Sequence, residues 1–377
     1  MSKNNQKKIL FFFGTRPEAI KLAPLIMEMN KFPKIFKYSI CISSQHQQML
    51  KQVLHFFKIK PDFDLKLMKP GQSLFDITSK GLEAFNKVIQ VNKPDMIIVQ
   101  GDTTTALVGA LAGYYNKIKI IHVEAGLRSH DKYSPFPEEI NRSMVGKLAD
   151  YNFTPTKEAV NNLHREGVRK NIYNVGNTVI DALLMGLKII KKIDQKVFYK
   201  KFDYIDFNKK IILVTGHRRE NFGEPLKNIC LALKEIAKKY KDVEIVYPVH
   251  LNPNVKNSVF KYLGGVKNIH LIEPLDYPDL IWLMDKSYLI ITDSGGIQEE
   301  APTLGKPILI TRDVTERTEG IKAGTAKLVG SDRLKIVNET TRLLNNRIAY
   351  EKMSKAVNPY GNGDSCKKII NILRKIK

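Results

Sequence analysis

The chain has 377 residues, of which 43% are hydrophobic and 26% are charged, and its formal net charge is +23. This composition is typical of a soluble globular protein, the length suits two domains, and no apolar run approaches the roughly 18 residues of a membrane-spanning helix. Only 13 of the 61 basic residues are Arg and the lysines are scattered, which argues against a surface that binds nucleic acid. The positive charge instead indicates a general compositional bias, together with a modest attraction of an anionic substrate.

Short apolar runs alternate with segments of helical periodicity along the chain. The runs predict buried parallel strands at 9–13, 95–100, 118–123, 211–215, 243–249, 288–292 and 307–310. The clearest helical segments are 17–30, 45–57, 225–240 and 331–345. The alternation predicts an α/β protein with doubly wound sheets.

A domain boundary is predicted near 178–208. The helical stretch that begins at Thr178 is followed by a segment without clear periodicity, and a new strand–loop–helix series starts at Lys210. We therefore divide the chain into residues 1–178 and residues 179–362, two Rossmann-like halves facing a cleft. A last amphipathic helix follows the turn-rich segment 358–364, and its residues alone allow it to pack on either half.

Five of the seven predicted strands end in glycine together with ionisable residues. Ligands of open α/β sheets bind outside the carboxyl ends of the strands, so these loops are the candidate site. The five loops are 14–18, 101–105, 124–128, 216–221 and 293–300.

In the first half, the carboxylates Asp102, Glu124 and Glu138 are predicted near the cleft edge. Like charges in a partly dry site raise carboxylate pKa values and suit acid/base work. Simpler interpretations exist for two of them: Asp102 could cap the helix that starts at Thr103, and Glu138 could favour a helix N-terminus. The cations expected near them are Arg16, Lys21 and Arg142.

In the second half, Ser294, Gly295 and Gly296 open a predicted helix. Glycines let the backbone approach a ligand closely, so the segment is a candidate pyrophosphate cradle, with an ordinary Asp/Ser helix cap as the alternative. Arg317 offers a bidentate cation for phosphate, and Glu300 could meet ribose hydroxyls.

Histidines and cysteines add one candidate and several exclusions. His217, flanked by arginines just past a strand, is a candidate for phosphate contact or proton transfer, whereas His122 is predicted to pack in the core.

Cys41, Cys230 and Cys366 lie far apart, which predicts a reducing cytoplasm without a disulfide framework or structural zinc. P-loop, GxGxxG and metal-ligand motifs are lacking, so we expect neither a nicotinamide cofactor nor a metal.

Eight segments, in order along nearly the whole chain, resemble the non-hydrolysing UDP-N-acetylglucosamine 2-epimerases. They are FGTRPEAIK at 13–21, GDTTT at 101–105, HVEAGLR at 122–128, PFPEEINR at 135–142, GNTVID at 176–181, TGHRRE at 215–220, VHLNP at 249–253 and DSGGIQEE at 293–300. The resemblance implies a GT-B-like fold, a dimer, UDP held mainly by the second domain, and a last helix, 363–377, that returns to the first domain.

The resemblance also implies roles for individual residues. The family's catalytic residues match Asp102, Glu124, Glu138 and His217. Its UDP contacts match Arg16, His217, Ser294, Gly295, Gly296, Glu300 and Arg317. A second, activating UDP-N-acetylglucosamine is implied at Gln45, His46, Gln48, Glu138, Arg218 and His250. The chain departs from the family at Gly71, where some members have Arg, and at Thr318, where Pro is common.

Chemistry indicates how such a site would invert C2 of an N-acetylhexosamine. The C2 hydrogen is not acidic, but breaking the bond from C1 to UDP gives C1 oxocarbenium character and acidifies C2–H. A phosphate cradle for the departing UDP and a carboxylate base supply both needs. The expected path is elimination to a 2-acetamidoglucal and re-addition of UDP, giving UDP-N-acetylmannosamine for surface polysaccharides.

Three other functions compete with this one. A GT-B glycosyltransferase shares the nucleotide half but needs an acceptor groove, and a hydrolysing epimerase releases free N-acetylmannosamine. A basic nucleic-acid-binding protein would explain the charge, but it gives no reason for carboxylates at strand ends.

Overall fold

The computed structural model describes residues 6–44, 47–67 and 71–376, with only the backbone at Gln47 and Gln48. The chain divides into two compact units. Unit 1 comprises Met1–Met185 and Tyr360–Lys377, and unit 2 comprises Gly186–Pro359.

Within the described residues, unit 1 is built on a seven-stranded sheet in the order β3-β2-β1-β4-β5-β6-β7, and every neighbouring pair is parallel. Its strands are β1 (Lys7–Phe13), β2 (Phe36–Ile42), β3 (Phe63–Asp64), β4 (Met96–Gln100), β5 (Lys119–Val123), β6 (Tyr151–Thr154) and β7 (Ile172–Asn174). The helices up to the end of this series are α1 (Arg16–Met29), α2 (Gln47–Phe56), α3 (Leu74–Asn92), α4 (Thr104–Tyr115), α5 (Glu138–Leu148), α6 (Lys157–Arg165) and α7 (Thr178–Ile190).

Unit 2 repeats the plan with a parallel sheet in the order β10-β9-β8-β11-β12-β13. Its strands are β8 (Lys210–Thr215), β9 (Val243–Pro248), β10 (Ile269–Ile272), β11 (Leu289–Thr292), β12 (Ile308–Ile310) and β13 (Ala326–Leu328). Its helices are α8 (Lys196–Lys201), α9 (Glu224–Lys239), α10 (Pro253–Leu263), α11 (Tyr277–Lys286), α12 (Gly295–Glu300), α13 (Thr318–Ala323), α14 (Arg333–Asn345) and α15 (Arg347–Ser354).

The central strands contain uninterrupted apolar runs because helices cover both faces of each sheet. All five residues of β4 are buried, as are the last five of β1 and the four of β11. Every apolar run predicted as a strand is a strand. Unbroken apolar runs are typical of parallel strands buried on both sides.

Each sheet has one point at which the strand order reverses. In unit 1 this switch point lies between β1 and β4, and in unit 2 it lies between β8 and β11. The loops that leave two neighbouring strands there run to opposite faces and open a crevice at the carboxyl ends. The candidate loops after β1, β4, β8 and β11 therefore lie at the switch points of their own sheets.

The last helix, α16 (Ser365–Lys375), belongs to unit 1 and packs against α1. Its first turn donates backbone N–H groups of Ser365 and Cys366 to the Asp181 carboxylate, at 3.2 and 3.0 Å. At its other end, Lys7 Nζ donates to the carbonyl oxygens of Leu373 and Arg374 at 2.8 and 2.9 Å. Charges of opposite sign therefore stabilise both ends of the helix dipole.

Among the described residues there is no helix with the length and apolar character needed to cross a membrane. The three cysteines are buried and unbonded.

Candidate functional site

Glu124 is the most enclosed of the three predicted carboxylates. It follows β5 in the left-handed region, at φ 66°, and is 8% exposed. Lys21 Nζ from α1 lies 2.6 Å from its carboxylate, Asn177 Nδ2 donates to Oε1 at 3.1 Å, and Gln100 donates to Oε2. The Lys21 ammonium compensates the buried charge, so Glu124 is held by donors from several elements.

Asp102 follows β4 and pairs with Arg142 of α5. The Asn141 amide donates to its carbonyl oxygen at 3.0 Å. The N-cap of α4 is Thr103, whose Oγ1 accepts from the N–H of Ala106 at 3.0 Å. The alternative that Asp102 caps this helix is therefore wrong, and its side chain is available for another role.

Glu138 and Glu139 occupy the first turn of α5 but have different surroundings. Glu138 is partly exposed, and within the described part of the chain its side chain makes no hydrogen bond or ion pair. Glu139 is buried and accepts hydrogen bonds from the backbone of Ser129 and His130 and from Arg142. The sequence predicts only Glu138 as a site residue, because the pattern ProGluGlu does not show which of two acids is buried.

A fourth carboxylate that the sequence analysis did not single out lies under the same loops. Glu18 is 1% exposed and accepts from the N–H groups of Gly14 and Thr15, at 3.0 and 2.7 Å, and from Thr103 Oγ1 at 2.8 Å. It thus joins the loop after β1, which contains Arg16, to the loop after β4. Burial raises the pKa of Glu18 despite these donors. The capping-box spacing from Thr15 to Glu18 could have identified it.

His122 is a structural residue, in agreement with its prediction. It is fully buried, and Nε2 lies 2.7 Å from the carbonyl oxygen of Gly101. Burial lowers the pKa of His122 to about 4, so the imidazole is neutral at physiological pH.

In unit 2, Asp293 organises the loop that contains His217. Asp293 has no exposed surface, and its Oδ2 accepts from the N–H groups of His217 and Arg218, both at 2.9 Å, and from Asn221 at 3.0 Å. Its Oδ1 lies 3.3 Å from His217 Nδ1. Burial raises the pKa of Asp293, but the bonds and charge of His217 and the N–H of Arg218 outweigh it and hold the pKa below its ordinary value.

The His217 ring is exposed and stacks near the ring of His250, with centroids 5.9 Å apart. Partial burial and the neighbouring His217 lower the pKa of His250. With Nδ1 of His217 directed to Asp293, its Nε2 is left to face a ligand. His217 can therefore bind a phosphate oxygen or transfer a proton.

Gly295 and Arg317 lie against each other. A Cβ on Gly295 would stand 2.7 Å from Arg317 Cζ, so only glycine leaves room for the guanidinium. Arg317 Nε donates to Glu299 Oε1 at 2.9 Å, and Arg317 also pairs with Glu316. Ser294 makes no side-chain capping bond to α12, so the helix-cap alternative is not what the structure shows.

Glu300 is buried and accepts from the Tyr277 hydroxyl at 3.2 Å. Arg16 is half-buried at the start of α1.

Of the implied activator residues, Gln45 and His46 lie outside the described residues, as does the side chain of Gln48. Gly71 has φ 73°, and Thr318 begins α13.

Parallel α/β units with glycines and charged side chains at their switch points are typical of enzymes that act on nucleotide-linked substrates. A family model described as UDP-N-acetylglucosamine 2-epimerase matches residues 28–374. The chain is 51% identical to the UDP-N-acetylglucosamine 2-epimerase of Escherichia coli K12 over 370 residues, which cover 97% of this chain and 98% of that protein. It is 54% identical to the Campylobacter jejuni protein of the same name over 379 residues, 98% of each chain.

Solved structures agree. The crystal structure of the UDP-GlcNAc 2-epimerase from Neisseria meningitidis bound to UDP-GlcNAc superposes with a TM-score of 0.93 at 48% identity, covering 98% of this chain and 100% of that one. The chain therefore belongs to the UDP-N-acetylglucosamine 2-epimerase family. This membership confirms the predicted fold class, two Rossmann-like parallel-sheet units of GT-B type.

Proposed function

We propose that this protein interconverts UDP-N-acetylglucosamine and UDP-N-acetylmannosamine without hydrolysis. The observation that carries the proposal is that each unit holds one of two unlike sets of residues on loops that follow the strands at or beside its switch point. Unit 1 offers the carboxylates Asp102 and Glu124, and unit 2 offers His217, Ser294–Gly296 and Arg317. The first set suits proton transfer at a sugar carbon, and the second suits binding of a diphosphate.

The proposed reaction begins with elimination. A carboxylate removes the C2 proton, the C2–H electrons form the C1–C2 double bond, and the C1–O bond breaks with its electron pair going to UDP. Re-addition reverses these steps, with a proton delivered to the other face of C2. Because UDP is both the leaving group and the nucleophile, the bonds and electrons of the reaction balance without a metal or a nicotinamide.

We assign the groups by their surroundings. Asp102, Glu124, Glu138 and His217 supply the donor and acceptor on the two faces of C2. Lys21 and Arg142 compensate charge around the sugar, and Arg16, His217, Ser294, Gly295, Gly296, Glu300 and Arg317 bind UDP. Residues 1–178 with 363–377, all within unit 1, are thus proposed as the catalytic domain, and residues 179–362, which include all of unit 2, are proposed as the UDP-binding domain.

Further parts of the proposal rest on family membership. We propose a cytoplasmic homodimer, activated by a second UDP-N-acetylglucosamine at Gln45, His46, Gln48, Glu138, Arg218 and His250. Its product would serve surface polysaccharide synthesis.

Proton NMR in deuterated water tests the reaction. We expect purified protein with UDP-N-acetylglucosamine to yield UDP-N-acetylmannosamine with deuterium at C2, and we expect Asp102→Asn and Glu124→Gln to slow its appearance by at least about 100-fold, the scale of general acid–base contributions. Free N-acetylmannosamine with UDP would indicate the hydrolysing class. Unchanged substrate without deuterium uptake would refute the proposal and favour a glycosyltransferase.

A further inference from the structure

The carboxylate of Glu139 accepts hydrogen bonds from the backbone of the loop after β5 and from Arg142. Its Oε1 accepts from the backbone N–H groups of Ser129 and His130, both at 3.0 Å, and so holds the loop after β5. Its Oε2 accepts from Arg142 Nη1 at 3.2 Å and also lies 3.0 Å from the N–H of Ser129. Glu139 is 5% exposed, so water does not compete for these contacts.

Arg142 connects Glu139 to Asp102. Its Nη1 donates to Glu139, its Nη2 donates to Asp102 Oδ2, and the side chain is 7% exposed. In the described part of the chain, Nε makes no hydrogen bond. The guanidinium is therefore oriented by its two ends, one on each carboxylate. A planar fork bound at both ends has little freedom to rotate.

We propose that Glu139 is a positioning residue for the reaction: it holds Arg142 so that Arg142 holds the Asp102 carboxylate in place. The inference rests on the proposed function, in which Asp102 acts on the sugar. Asp102 lies on the loop after β4 and its side chain is 28% exposed, so we expect its pair with Arg142 to fix the direction in which the carboxylate points. Catalytic groups must be held closely for efficient transfer.

Glu139→Gln separates the two tasks of the residue. A glutamine carbonyl at the Oε1 position still accepts from Ser129 and His130, whereas its NH₂ group faces Arg142 Nη1, donor against donor. We expect kcat to fall by about 10- to 100-fold, the scale of a small misplacement of a reacting group. The affinity for UDP, measured by calorimetry, is expected to change less than about twofold, because the UDP contacts proposed above lie mainly in unit 2.

Glu166→Gln is the matched control. Glu166 accepts from Nε and Nη2 of Arg128 at 2.6 and 2.7 Å, a Glu–Arg pair of the same kind in the same unit that does not touch Asp102. We expect its kcat to stay within about twofold of the wild type. Should Glu139→Gln fail to fold, Glu139→Asp replaces it, because the shorter side chain cannot keep the contacts with Arg142 and with the backbone of Ser129 and His130 together, and the same loss of kcat is expected.

Crystal structures of the wild type and of Glu139→Gln decide the inference independently of turnover. We expect Arg142 to leave Asp102 in the variant. Retention of the Arg142–Asp102 pair, or a kcat within twofold of the wild type, would overturn the inference. If the wild type does not epimerise, the proposed function fails, while the position of Arg142 in the variant still supports or overturns the contact made by Glu139.

Discussion

The carboxylates near the switch point of unit 1 differ in how their charge is balanced. Glu124 is paired with Lys21, and Asp102 is paired with Arg142. Glu18 accepts hydrogen bonds from two backbone N–H groups and a hydroxyl, all of them neutral donors. Desolvation therefore dominates at Glu18 and raises its pKa.

The raised pKa of Glu18 predicts a pH dependence of stability. The unfolded chain releases this proton near pH 4.3, but the folded protein retains it to higher pH. The stability contributed by Glu18 therefore falls as pH rises through that interval, and the loss is complete above the folded pKa. We expect Glu18→Gln, which cannot ionise, to match the wild type near about pH 4 and to exceed its apparent Tm near about pH 8.

Thermal unfolding from acid to weakly alkaline pH measures this difference. Glu83→Gln, which removes an exposed carboxylate from α3, serves as the control for loss of one negative charge. A Tm difference between Glu18→Gln and the wild type that does not vary with pH would show that the argument from burial is wrong.

Sequence patterns predict the charged residues of the site better than they predict the hydrogen bonds that hold those residues in place. Asp102, Glu124, Lys21 and Arg142 were all expected near one another, and the structure pairs them. The connections made by Glu139 depend on which turn of α5 faces inward and on the path of residues 129–130, and both are set by packing. A single sequence gives the residue types at strand ends but not the hydrogen bonds between loops.

At the scale of elements, the central strands were predictable and the peripheral ones were not. β1, β4, β8 and β11 each contain a continuous apolar run. β2 includes Lys and Ser, and β3 and β7 have only two and three residues, so their periodicity is too short to recognise. Strand order also depends on pairing between segments distant in sequence, which propensity does not encode.

The helix α16 gives a prediction at this scale. Asp181 accepts two backbone N–H groups at its N-terminus, and burial raises the pKa of Asp181 although the N–H groups of Cys366 and Ser365 oppose this. Asp181→Ala leaves both N–H groups buried without an acceptor, so we expect a loss of about 1–3 kcal/mol in the free energy of unfolding.

Urea unfolding of Asp181→Ala tests this loss. Asp364→Ala is the control, because Asp364 precedes the same helix and pairs with the exposed Lys368, and its removal should cost less than about 0.5 kcal/mol. Equal effects of the two substitutions would show that the carboxylate of Asp181 does not anchor the helix.

For the whole molecule, the net charge of +23 implies attraction of an anionic substrate. Salt screens such attraction over about 10 Å at 0.1 M ionic strength. We expect KM for UDP-N-acetylglucosamine to rise a few-fold between about 0.02 and 0.5 M KCl while kcat stays nearly constant. An unchanged KM would show that the charge is compositional only, and steeply salt-dependent retention of duplex DNA would favour the rejected nucleic-acid class.

The return of residues 360–377 to unit 1 reverses the order in which the two units can mature during translation. The sheet of unit 1 leaves the ribosome first. Its helix α1 lacks the packing partner α16, however, until all of unit 2 and then α16 have been synthesised. Unit 2 contains no segment from outside Gly186–Pro359 and can fold before unit 1 is complete. We therefore expect nascent chains arrested near residue 359 to show a protease-resistant unit 2 and an incompletely protected unit 1, so that the half synthesised first is the half completed last.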